Sequence, residues 1–162
     1  MSSERSARHL PILASIIIAL MLAISPFPDA LQPFRPDWVA LTLIYWAIVV
    51  SGTYGVGTAW LVGIVLDVAQ GTLLGQHALA LSAVAYLTVR FHLQLRVFPL
   101  GQLTLTVAGL LAVYQFILFW INGVAGLSTP AIRFWGPLVS GTLLWPLVYF
   151  LLGRINYRRR RG

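Results

Sequence analysis

Residues 35–77 read RPDWVALTLIYWAIVVSGTYGVGTAWLVGIVLDVAQGTLLGQH, two apolar runs joined by a glycine-rich turn. Arg35 and Asp37 stand before the first run, His77 follows the second, and Asp67 lies inside the second. If both runs are helices, they form a hairpin whose two ends return to one membrane face. Arg35, Asp37, Asp67 and His77 then gather near that face. No other part of the chain sets so many ionisable groups beside apolar helices.

Outward from this stretch the chain is mostly apolar helix. Of 162 residues, 59% are hydrophobic and 9% charged, with a mean hydropathy of +0.84. A soluble domain carries roughly 25% charged residues, so this composition indicates an integral membrane protein. A spanning helix needs about 20 mostly apolar residues. Six candidates occur, at about 10–24, 37–50, 55–69, 77–91, 103–121 and 134–152. The expected fold is all-α, a polytopic bundle of six transmembrane helices forming a single membrane domain over 1–162. The second and third candidates are short for a span. Pro11 suits a first helical turn, and Pro146 near the middle of the sixth is expected to kink it. Arg5 and Arg8 precede the first apolar run in the manner of a signal peptide. No A-x-A site follows, so the run is read as an uncleaved first helix.

The net charge of +7 comes from arginine alone. In a membrane protein such charge reports orientation before it reports any nucleic acid, because cytoplasmic loops collect positive residues. Arg5, Arg8, Arg90, Arg96, Arg154, Arg158, Arg159, Arg160 and Arg161 fall in the tails or between helices four and five; only Arg35 and Arg133 fall on the other side. Both termini are therefore expected in the cytoplasm, with Asp29, Arg35, Asp37, His77 and Asn122 outside. The Arg158–Arg161 tail fits a lipid anchor, since each arginine near an anionic surface contributes about 1 kcal/mol.

Helix three carries a line of small residues at a spacing of four, Gly55, Ala59, Gly63 and Gly71, interrupted by Asp67. Such a line lets a second helix backbone approach closely, whether that helix belongs to a partner or to helix two or four. A carboxylate at a helix centre in a membrane costs roughly 2.5–3.5 kcal/mol on insertion scales. Asp67 is therefore expected to pair with Arg35 or His77, with acceptance of N–H groups at the start of helix four as the other reading. Asp37 follows Pro36 and precedes an apolar helix, an N-cap arrangement. Gln115 and Asn122 share a face of helix five and suit interhelical hydrogen bonds. Cysteine is absent, and no HExxH, G-x-S-x-G or P-loop pattern occurs. Neither a catalytic residue, a metal site nor a cofactor is expected.

Arg35-Pro36-Asp37-Trp38, Tyr45-Trp46, Gly55 and Gly57, Gly63 through Asp67, and Gly71 to Gly75-Gln76-His77-Ala78-Leu79 together resemble the MreD family of rod shape-determining membrane proteins. The length, six spans and basic termini agree with that family over nearly the whole chain. The resemblance implies a non-enzymatic inner-membrane scaffold of the bacterial elongation machinery. It acts with MreC, and through the complex with MreB filaments, RodA and a penicillin-binding transpeptidase. The family is also regarded as similar in fold to the substrate-binding membrane components of energy-coupling-factor vitamin transporters. Two functions thus stand side by side: a scaffold whose small-residue groove seats a partner helix, and a transporter component with an outward pocket for a small, vitamin-like molecule.

Overall fold

The computed structural model describes residues 2–50, 52, 54–128 and 130–161, and side chains over 9–50, 52, 54–128 and 130–157. Six α-helices follow one another: α1 Ser2–Ile24, α2 Trp38–Val49, α3 Val56–Gln70, α4 Gln76–Val97, α5 Leu100–Val124 and α6 Ile132–Arg161. A short 3-10 helix, Asp29–Phe34, lies between α1 and α2. The described residues contain no strand. Among the described residues three helices are long and apolar enough to cross a membrane, over Gln76–Val97, Leu100–Val124 and Ile132–Tyr157, while His9–Ile24 and Val56–Gln70 are shorter apolar helices. The architecture is a membrane helical bundle.

Helix α2 is its centre. All ten residues from Val39 to Ile48 are buried, as expected for a helix apolar on every face. It packs on α1, α4 and α6. At 12 residues it rises only about 18 Å, well short of the roughly 30 Å hydrocarbon layer. Surrounding helices, rather than lipid, therefore cover it. The single polar group on the Trp46 ring is met inside: its Nε1 donates to Ser15 Oγ at 2.8 Å, and Ser15 donates on to the Ile12 carbonyl at 2.8 Å.

Two arginines close helix ends. Arg96 Nε and Nη2 donate to the carbonyls of Ile48 and Val49 at 2.7 and 2.6 Å, at the end of α2. Arg35 Nη2 donates to the carbonyls of Leu22 and Ser25 at 2.7 and 2.9 Å, at the end of α1. The last carbonyls of a helix have no intrahelical partner and carry partial negative charge, so a guanidinium suits both places. Arg96 marks the end of the bundle shared with the chain termini, and Arg35 the opposite end.

Some local expectations change. Helix α1 continues through Pro11, so this proline lies inside the helix rather than in its first turn. The helices at either end of the chain also run beyond their apolar cores: α1 begins in the polar Ser2–Arg8 segment, and α6 reaches Arg161 through Pro137 and Pro146. Hydropathy marks where a helix is greasy, not where its backbone ladder stops. The side chains of Arg158, Arg159, Arg160 and Arg161 lie outside the described residues.

Candidate functional site

The site forms where α3 meets α4. Helix α3 ends at Gly71, whose φ of 64° is left-handed, and the turn closes at Gly75 with φ 99°. Both values favour glycine because a Cβ would crowd the backbone there. The return is tight enough for α4 to lie directly on α3. A Cβ built on Gly63 would stand 2.3 Å from the Ala78 Cα. Gly63 is thus a point of backbone contact within the chain.

This close approach delivers the first turn of α4 to Asp67, which is fully buried. Its Oδ2 accepts the Gly75 N–H at 2.8 Å, and its Oδ1 accepts the His77 N–H at 3.1 Å. Oδ1 also meets Thr72 Oγ1 at 3.0 Å and His77 Nδ1 at 2.7 Å. The carboxylate acts as an N-cap supplied by another helix, satisfying donors that α4 leaves unpaired and sitting at the positive end of its dipole. Of the two partners expected for Asp67, His77 is present. Arg35 is engaged instead with the end of α1. The alternative expectation, backbone N–H groups at the start of α4, holds as well.

Asp37 differs from expectation. It makes no side-chain cap on α2; its Oδ2 accepts from Gln115 Nε2 of α5. The local Pro-Asp pattern suits a cap, but the Gln115 amide is buried among apolar neighbours and needs an acceptor, and Asp37 supplies it across 78 positions of chain. The expected interhelical role of Gln115 is found. Asn122 instead donates to the Leu118 carbonyl of its own helix at 2.8 Å.

The small-residue line of α3 divides. Ala59 and Gly63 are buried, and Gly63 abuts α4. Gly55 and Gly71 have open space where a Cβ would stand. A second close approach comes from Gly136 of α6, whose Cβ would fall on the Pro33 carbonyl. It seats the 3-10 helix against α6.

Between these elements lies a funnel. Its mouth, about 860 Å³, is lined by Asp29, Gln32, Arg35, Asp37, Gln70 and Arg133, among others. Beneath it a slot of about 50 Å³ reaches His77 and Tyr114 past Arg35 and Asp37. That volume admits water but no organic molecule. Tyr114 and His77 rings stand 6.3 Å apart. Thr72, which sequence reasoning passed over, joins Asp67 and His77, yet its hydroxyl lies 3.4 Å from Nδ1, the nitrogen already turned to Asp67. The hydroxyl donates to the Asp67 carboxylate, and the His77 ring meets that same oxygen, so the trio lacks the nucleophile–histidine–carboxylate order of a catalytic triad. Among the described residues no three His, Asp or Glu side chains gather as a metal site.

No solved structure matches the chain, so the likeness to energy-coupling-factor components rests on the family resemblance alone. The rod shape-determining protein MreD of Haemophilus influenzae is 32% identical over 149 residues, covering 90% of each chain. The family described as rod shape-determining protein MreD matches residues 4–155, nearly everything from the first helix to the end of the last apolar segment, and the chain therefore belongs to the MreD family.

Proposed function

We infer that this protein is a non-enzymatic scaffold of the bacterial inner membrane that binds the transmembrane helix of MreC and helps direct lateral peptidoglycan synthesis. Family membership supports a role in rod shape directly. The observation that carries the finer reading is how the polar residues of the family stretch are used. Asp67 and His77 hold α3 to α4, Asp37 holds α5, and Arg35 closes α1. These groups build a rigid body rather than a reaction centre. Contacts with MreB, RodA and a penicillin-binding transpeptidase follow through the complex. Gly55 and Gly71 remain candidate points of partner contact, and Gly63 belongs to the interior packing of the hairpin.

A second reading is a small-molecule-binding component of a transporter. The funnel favours it, because Arg35, Asp37 and Arg133 converge on one concave polar space. Affinity purification from native membranes separates the two. Recovery of MreC supports the scaffold. Recovery of transporter ATPases without MreC overturns it in favour of the second reading.

A further inference from the structure

Helices α1 and α6 part from one another over α2, and an apolar furrow of about 520 Å³ runs between them. Ala19 and Leu22 of α1 and Leu151 of α6 form its walls, and Trp38 and Thr42 of α2 its floor. Arg154 stands at the end nearer the termini. Its side chain is exposed, and no described residue pairs with it. It lies one turn before Tyr157, an exposed aromatic of the interfacial kind.

The solvent around this furrow is hydrocarbon, and its lining is mostly apolar, with Arg154 at one end. The α6 wall runs from Val148 to Ile155, about 10 Å at the helical rise. An extended acyl chain matches a furrow of that length with a mostly apolar lining. A guanidinium at the mouth matches the remaining part of such a molecule, since arginine pairs with phosphate through two parallel N–H bonds.

We propose that the α1–α6 furrow is a binding site for an anionic phospholipid of the leaflet at the terminal end, its acyl chain lying over Thr42 and its headgroup phosphate on Arg154. The headgroup position at Arg154 lies at the end away from the funnel mouth, while Trp38 lines both the furrow and the slot beneath that mouth. The bound lipid also gives the gap between α1 and α6 a filler that the described residues do not supply.

The test uses the full chain, purified in mild detergent, delipidated, and titrated with phosphatidylglycerol or phosphatidylethanolamine while native mass spectrometry counts bound lipid. Phosphatidylglycerol should be retained over phosphatidylethanolamine. Arg154→Gln should weaken phosphatidylglycerol about fivefold, the effect of one arginine near a bilayer surface, and leave phosphatidylethanolamine unchanged. Arg90→Gln, another exposed arginine of the terminal end, should change neither. Leu151→Trp, at a position 53% exposed and so tolerant of bulk, should lower retention of both lipids by obstructing the furrow. Equal losses from Arg154→Gln and Arg90→Gln would reduce the effect to diffuse charge attraction and overturn the site. So would unchanged lipid retention in Leu151→Trp, or a loss of partner-protein capture in that variant with lipid retention intact, which would assign the furrow to a helix.

Discussion

Asp67 is the residue on which the site depends, and its environment predicts how substitutions rank. The carboxylate accepts three backbone N–H groups at the α4 start, those of Gly75, His77 and, at 3.5 Å, Ala78, together with a threonine hydroxyl and the His77 ring. Asp67→Asn keeps one oxygen acceptor but turns an NH₂ toward donors, and should cost about 1 kcal/mol, an ordinary hydrogen-bond loss. Asp67→Leu strands buried donors and should cost roughly 3 kcal/mol. Thermal unfolding of the purified protein in detergent checks the order; equal melting temperatures for the two variants would contradict the trans-cap role. Much of this residue chemistry is legible in the sequence, because a lone carboxylate among apolar residues must find partners. The choice between Arg35 and His77 is not legible. It depends on the left-handed turn at Gly71 and Gly75, which aims the start of α4 back at Asp67. Thr72 was hidden for a simpler reason: a loop threonine is too common to stand out. Asp37 misled because its neighbours spell a cap, while its true partner, Gln115, lies on α5.

At the scale of the element, the α3–α4 hairpin is a junction of backbone against backbone. The small-residue line announces a close approach but not whose backbone arrives, since a partner helix and a neighbouring helix need the same absence of side chain. The structure places α4 against Gly63. Gly63→Leu should therefore force the two helices apart, displace the first turn of α4 from Asp67, and prevent the protein from accumulating in the membrane. Quantitative immunoblotting of membrane fractions measures this. Normal accumulation with loss of MreC co-purification would instead place a partner at Gly63. Apolar runs stand out in hydropathy even where they are short, as over 37–50 and 55–69, because polar or glycine-rich turns flank them. Helix ends do not, because the ladder continues into polar and basic residues, as in α1 and α6. Nor does composition distinguish α2, covered by other helices, from α5, which presents Leu105, Phe116 and Trp120 at the surface.

At the scale of the molecule, the two ends of the bundle differ in charge, and this asymmetry predicts its orientation. Described side chains put Arg96 beside the end of α2, with Arg90 on the same helix and Arg154 late in α6, all toward the terminal end. Arg35 and Arg133 lie at the funnel end. The funnel end also holds Asp29 and Asp37, so its net charge is close to neutral. Orientation follows the excess of arginine in short loops near the helix ends, with acidic residues counting little. That rule predicts a terminal end in the cytoplasm and a funnel facing outward. Reporter fusions at Gly101, in the first turn of α5, and at Gly162 should both read cytoplasmic, and one at Gly126, between α5 and α6, should read periplasmic. Removing the Arg158–Arg161 tail should leave these readings unchanged, because Arg90, Arg96 and Arg154 keep the bias in the same direction. A periplasmic reading at Gly101 would invert the bundle, turn the funnel toward the cytoplasm, and remove any access from the outside to Arg35, Asp37 and His77.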